Sequence, residues 1–234
     1  MSEFCHSIQK NMLQQERKWQ MNPRYMDKQS KINEKIRSTL IDWLIQVNYN
    51  FKLLPESLFL TVNIIDRYFS LNHIQKRDVQ LVGFAAMLIA TKYEEIYPPL
   101  LQDFVHISDG LYTAEQILDM EKAILFDLDF DIQLTSPFRF LERFSKIARL
   151  DSVTFNLSHY MLEVGLFDSK MNQFYPSLQA VAAIYTAKKY LKFYNNVYSE
   201  EITTGLSEFG LLALYSDEEV KKCARCFNEL AKLI

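Results

Sequence analysis

Glycine and proline are scarce, at five and six among 234 residues. Sheet-rich and mixed α/β folds use both on turns, so the chain is expected to be helices joined by short loops. Cysteine is rarer still. Cys5, Cys223 and Cys226 make an odd set, and Met1–Lys10 shows no positively charged start followed by an apolar stretch. This usage fits a reducing compartment rather than a secreted, cross-linked scaffold. Cys223-Ala-Arg-Cys226 has CxxC spacing but stands alone in an amphipathic helical pattern. A metal site needs a second pair and a redox site a strand–helix setting, so these cysteines read as packing. The four histidines, His6, His73, His106 and His159, are scattered without HExxH or HxxxH spacing. Neither GxGxxG nor the P-loop pattern GxxxxGK occurs, so no phosphate cradle of the usual kind is encoded. No apolar run reaches the roughly 17–25 residues of a membrane helix. Positive charge is not in excess either. With 26 Lys and Arg against 29 Asp and Glu, the net charge is -3, which argues against holding nucleic acid by phosphate neutralisation.

What is present is a globular composition, 49% hydrophobic and 24% charged, long enough for one large domain or two small ones. Apolar periodicity predicts a polar helix over 3–21, ended by Asn22-Pro23, and then helices over 33–51 and 55–70, the latter opened by Pro55. Asp78 is read as the cap of a helix reaching Tyr93. A short segment at 102–107 follows, and then a helix to Asp127 opened by a Thr113–Gln116 capping box. Further helices are expected at 136–148, 152–168, 176–192, 199–206 and 216–233, the last with a Ser216–Glu219 box. The two halves repeat. Segments 81–93 and 178–190 align at a constant offset of 97, with identical pairs Leu81/Leu178, Ala85/Ala182, Ala86/Ala183, Ala90/Ala187, Lys92/Lys189 and Tyr93/Tyr190. Both are apolar on nearly every side and rich in alanine, as in a helix buried all round by close neighbours. The spacing suits a duplicated small domain, with the join near Leu134-Thr135-Ser136-Pro137.

Some residues ask for more than a core. The helix over 33–51 carries one stripe of Ile36, Leu40, Trp43 and Val47 and another of Ile41, Leu44 and Ile45. Either it is packed on both sides, or Ile36, Leu40 and Trp43 stay partly open as a peptide groove anchored by an aromatic ring. Arg37 and Asp66 are charges in apolar surroundings, and a buried charge needs a partner, so the two are candidates for an internal ion pair. Glu121 interrupts the stripe Ile117, Ile124, Leu128 and reads as a surface charge at its edge. Lys92, at a helix C-terminus, reads as a favourable charge on the helix dipole. Adjacent Glu94 and Glu95 would point about 100° apart on a helix and make a poor acid–base pair.

The run Ile36-Arg37-Ser38-Thr39-Leu40-Ile41-Asp42-Trp43-Leu44-Ile45-Gln46-Val47 resembles the MRAILVDWLVxV signature of the cyclin box. Later segments resemble it in order: Val62 to Tyr68, Gln80 to Gly83, Ala90-Thr91-Lys92-Tyr93-Glu94-Glu95-Ile96-Tyr97-Pro98-Pro99, Tyr112-Thr113 and Met120-Glu121. Phe138 to Lys146 is similar to the FLRRxSK stretch of mitotic, B-type cyclins, and Gly165-Leu166-Phe167-Asp168 and Pro176-Ser177 also fit. The resemblance implies an all-α fold of two tandem five-helix cyclin-box bundles preceded by an N-terminal helix. The expected divisions are 1–31 (helix and linker), 32–134 and 135–234.

The resemblance also implies a role. It points to a non-catalytic activator of a serine/threonine cyclin-dependent kinase, acting as a heterodimer in mitotic control in the nucleus and cytoplasm, with no cofactor and no metal. Lys92 and Glu121 match positions that bind backbone groups of the kinase beside its regulatory helix. Tyr93, Leu125 and Phe130 match apolar contacts to it, and Phe4 and Ile8 of the N-terminal helix are expected against it too. Arg37 and Asp66 match the internal ion pair. Ile36, Leu40, Trp43, Gln46, Val79 and Gln80 match the docking patch for substrates or inhibitors with Arg-x-Leu segments. Thr39 stands where the family usually has an apolar residue, and Gln46 where some members have an acid. The positions of a basic phosphate pocket found in some mitotic members hold Glu142, Phe155 and His159, which do not make one. No long tail stands before the expected first helix, so either one was removed or turnover runs through another signal; Arg37-Ser38-Thr39-Leu40, although of RxxL form, is expected inside a helix and partly buried and is not read as a degradation signal. Direct contact with nucleic acid or membrane is not expected. The alternative reading is a transcription-type cyclin-box adaptor bridging DNA and a polymerase, which would need a basic face.

Overall fold

The computed structural model describes residues 4–18, 20–195 and 214–232. They contain helices and turns and no strand. The chain divides into two compact units, Met21–Leu134 and Met1–Gln20 with Thr135–Ile234.

The first unit holds α2 (Glu34–Phe51), α3 (Pro55–Leu71), α4 (Val79–Glu94), α5 (Leu101–Ile107) and α6 (Ala114–Asp127). Helix α4 is its axis and packs against the other four. Every residue from Val82 to Thr91 is buried, and the small side chains of Ala85, Ala86 and Ala90 let neighbouring helices come close. Each helix begins where the local chemistry can satisfy its free N–H groups. Asn33 Oδ1 accepts from Ile36 N at 3.0 Å to open α2, and Pro55 occupies the first turn of α3. Thr113 and Gln116 form the reciprocal box of α6, at 3.2 and 2.9 Å. Asp78 is different: it sits in a 3-10 turn, Lys76–Asp78, and its side chain makes no cap bond to α4. The residues read as linker belong to this core, since Tyr25 and Met26 are buried in it. Gln29 joins it by donating to Phe69 O and Asn72 O, both at 2.6 Å.

The second unit holds α1 (Cys5–Gln15), α7 (Pro137–Ile147), α8 (Ser152–Gly165), α9 (Pro176–Asn195) and α10 (Asp217–Leu230). Here α9 is central and packs on α7, α8 and α10, so the 97-residue repeat marks the axial helix of each bundle. The Ser216–Glu219 box opens α10, with bonds of 2.8 and 3.3 Å. The helix expected over 199–206 lies outside the described residues.

Two ends depart from expectation. Helix α8 stops at Gly165 rather than 168, where a Cβ would lie 2.8 Å from Cε1 of the buried Phe227 ring. The first helix stops at Gln15 rather than near 21, and the residue that follows it reaches into the bundle. Glu16, only 5% exposed, accepts from Ser177 N (2.9 Å) and Ser177 Oγ (2.8 Å), and so caps the first turn of α9. The Tyr215 hydroxyl is 2.5 Å from the same Ser177 Oγ. Burial raises the Glu16 pKa, against the lowering effect of the Ser177 bonds.

Candidate functional site

Within the first unit, the two charges that stand in apolar runs meet. Arg37 donates from Nε to Asp66 Oδ1 and from Nη2 to Asp66 Oδ2, each at 2.7 Å. The Tyr25 hydroxyl donates to Asp66 Oδ1 at 2.5 Å and accepts from Arg37 Nε at 2.8 Å. Arg37 and Asp66 are each 1% exposed. A two-pronged pair fixes angle as well as distance, so it sets how α2 meets α3. Burial opposes the guanidinium charge, but Asp66 and then Tyr25 more than offset it, and the Arg37 pKa is raised. Burial, followed by the Asp66 charge, pushes the Tyr25 phenol up as well.

Lys92 and Glu121 also meet. Lys92 Nζ donates to both carboxylate oxygens of Glu121, at 2.7 and 2.9 Å, joining the end of α4 to the middle of α6. Glu121 is 8% exposed. Its reading as a surface charge at the stripe's edge is therefore corrected: the Lys92 ammonium reaches over and satisfies it. The Lys92 side chain is half exposed, so the pair has one face toward solvent.

Large apolar side chains stand open or half-open on the same two helices and in the turn that follows α6. Tyr93, next to Lys92, is half exposed, and Leu125, one turn beyond Glu121, is half-buried. Phe130 is 60% exposed and packs edge-on against the exposed Phe126, with ring centroids 5.5 Å apart. Asp129 and Phe130 take left-handed backbone angles, φ 51° and 56°, which is costly for a bulky residue. The bond from Phe130 N to Leu125 O, 2.9 Å, helps hold this turn. Phe4 and Ile8 are exposed on the segment of α1, in the other unit.

Sequence reasoning passes over several neighbours. Phe126 lies off the buried stripe of α6, and Ile96 follows the end of α4, yet both are open. Glu95, considered only as half of an acid pair, accepts from Leu54 N (2.7 Å) and Ser57 Oγ (2.6 Å). It thereby caps α3 and pins the C-terminal end of α4 that carries Lys92. A carboxylate just after a helix, facing an uncapped Leu-Pro start, is the signal that could have found it.

Five of the six docking-patch residues converge on one groove of about 690 Å³. Ile36, Leu40 and Trp43 from α2, and Val79 and Gln80 from the start of α4, line it with Asn33, Lys35, Thr39 and Lys76. Leu40 and Val79 are buried as its floor. The half-buried Trp43 ring rests edge-on against Phe84, centroids 4.8 Å apart. Gly83 makes room, since a Cβ there would lie 2.8 Å from Leu40 Cδ1. Gln46 is not part of the lining; it donates to Asp42 Oδ2 at 3.2 Å.

In the second unit, Glu142 pairs with Arg139 at 3.1 Å. His159 packs on Phe138, centroids 4.7 Å apart, and burial lowers its pKa. Among the described residues, no cluster of three His, Cys, Asp or Glu could hold a metal ion, and no helix is long and apolar enough to cross a membrane.

The matches to known proteins agree on the architecture. The chain matches the family "Cyclin, N-terminal domain" over residues 7–133 and "Cyclin, C-terminal domain" over 135–233. It is 44% identical over 187 residues to Cyclin-B2-1 of Oryza sativa subsp. japonica, covering 80% of this chain and 44% of that protein. It is 42% identical over 204 residues to G2/mitotic-specific cyclin S13-7 of Glycine max, covering 86% of this chain and 75% of that protein. A crystal structure of a viral cyclin from Herpesvirus saimiri superposes with a TM-score of 0.78 at 18% identity, covering 94% of this chain and 96% of that one. The chain spans just under half the length of most of the curated relatives it matches. Two bundles with repeated axial helices, matched along their whole length, leave one assignment: the chain belongs to the cyclin family, with B-type cyclins among its relatives.

Proposed function

We propose that this chain is the regulatory subunit of a cyclin-dependent serine/threonine kinase, acts in mitotic control, and performs no chemistry of its own. The observation that carries the proposal is the Lys92–Glu121 pair: a nearly buried carboxylate held by a half-exposed ammonium, with the exposed Tyr93 and Phe126 and the half-buried Leu125 on the same helices and the exposed Phe130 in the turn that follows α6. Charged groups at the centre of an apolar patch give direction to an otherwise greasy contact and suit the free backbone groups of a partner helix.

A protein kinase transfers phosphate only when its β3 Lys–αC Glu pair is aligned and its activation loop is ordered. A rigid surface complementary to that arrangement alone shifts the kinase population toward it, so activation follows from differential binding energy. In this reading Lys92 and Glu121 meet backbone groups of the kinase, while Tyr93, Leu125 and Phe130, with Phe4 and Ile8 of the N-terminal helix, bury apolar area against it. Arg37 and Asp66 hold α2 and α3 behind that surface. The groove around Leu40 and Trp43 recruits substrates or inhibitors. The site of action is the nucleus and cytoplasm. The transcription-type adaptor is not favoured, because the relatives at 42–48% identity are B-type cyclins.

The test is co-purification with a panel of monomeric cyclin-dependent kinases, followed by phosphorylation of a histone-type peptide. Stable pairing with at least one kinase and a large gain in its activity are expected. Failure to bind or activate any of them would overturn the proposal.

A further inference from the structure

The groove on the first unit has a charge that the expected Arg-x-Leu ligand does not explain. Its lining contains two cations, Lys35 and Lys76, and no acid. Both lysines are exposed, one on the first turn of α2 and the other in the turn that leads into α4. The nearby acids Glu34, Asp42 and Asp78 are not among its lining residues. Asp42 accepts from Gln46, and Asp78 lies 3.6 Å from Arg77 Nε. Gln46, at the position where an acid would receive an arginine, lies outside the lining. The groove also includes the first residues of α4, Val79 and Gln80, and the N-cap side chain Asp78 makes no bond to that helix's N–H groups. Beneath these charges the floor is apolar, formed by Leu40, Val79 and the Trp43 ring.

We infer that this groove takes an extended peptide with an apolar anchor flanked by aspartate or glutamate, in preference to an arginine-bearing one. The anchor sits on Leu40, Val79 and Trp43, and the carboxylates lie between Lys35 and Lys76. The inference rests on the proposed role of the groove in substrate docking and names the ligand class for it. An arginine brought to the same place would meet two like charges with no acid in the lining to receive it, a juxtaposition that disfavours the wrong partner.

The experiment measures fluorescence anisotropy of labelled peptides on the full chain without any kinase. The peptides share one leucine anchor and differ only in having glutamates, alanines, arginines or phosphoserines beside it. The glutamate peptide is expected to bind about tenfold more tightly than the arginine peptide, with each lysine contributing up to about fivefold, the upper end for exposed ion pairs. Raising the salt concentration should narrow the gap. The double variant Lys35→Glu/Lys76→Glu should reverse the order, and both sites are exposed enough for the fold to persist by circular dichroism. Equal or tighter binding of the arginine peptide, an order unchanged by the double variant, or no binding of any peptide would overturn the inference. Binding of the phosphoserine peptide without the glutamate one would also overturn it. Because no kinase is present, failure here is separate from failure of the kinase-activation reading.

Discussion

Replacing Asp66 by alanine leaves Arg37 as a charge without its carboxylate in a place where water does not reach. Arg37 is 1% exposed, and two of its donors and the Tyr25 hydroxyl all point to Asp66 within 2.7 Å. An exposed ion pair broken in this way costs at most about 1 kcal/mol. A buried one costs about 3–5 kcal/mol, because the remaining charge has lost its compensation. At roughly 2–4 °C per kcal/mol for a chain of this size, the expected fall in melting temperature is about 6–20 °C. Thermal and urea unfolding followed by circular dichroism would measure it. The variant Tyr25→Phe/Arg37→Met/Asp66→Leu separates charge from packing, since it removes both charges and the hydroxyl bonded to them and keeps similar volume, and it should recover most of the loss. A loss below about 1 kcal/mol for Asp66→Ala, within the range of an exposed pair, or a triple variant no better than the single one, would refute the reasoning.

Gly165→Ala places a methyl 2.8 Å from the buried Phe227 ring and should cost about 1–3 kcal/mol in urea unfolding, whereas an unchanged midpoint would mean that the ring yields freely. Glu16 has a raised pKa, so its contribution to stability is full below its ordinary value of 4.5 and is lost as pH rises through the folded value. The stability of the unmodified chain relative to Glu16→Gln should accordingly be greatest below that value and shrink toward neutrality, and a difference independent of pH would contradict the buried-cap account. Trp43→Ala should leave phosphorylation of a short peptide lacking a docking segment unchanged while weakening phosphorylation of substrates that carry one. An equal loss on both kinds of substrate would count against a separate docking groove.

Much of the fold is legible because its signals are local. Helix periodicity, Pro55 and the boxes at Thr113 and Ser216 each act within one turn, and the alanine-rich repeat at 81–93 and 178–190 marks both axial helices. The clustering of Ile36, Leu40, Trp43, Val79 and Gln80 on one groove is carried by the resemblance, since α2 and α4 come together only in the folded bundle. What stays hidden is pairing between distant carboxylates and their donors. Glu16 caps a helix that begins 160 residues later, and Glu95 caps α3 from behind. Glu121 looks like a stripe-edge charge until Lys92 is placed over it. Asp78 shows the converse: a good capping residue type makes no cap bond because a 3-10 turn leads directly into α4.

The most direct measurement is the affinity and activity of the partner kinase with the Glu121→Ala chain, beside the unmodified one, after circular dichroism has shown equal helix content. In the proposed contact, removing that carboxylate leaves Lys92 and the kinase groups unpaired at a dry interface, so binding should weaken by about 2–5 kcal/mol and activation should be lost. Full activation by the Glu121→Ala chain would contradict the account.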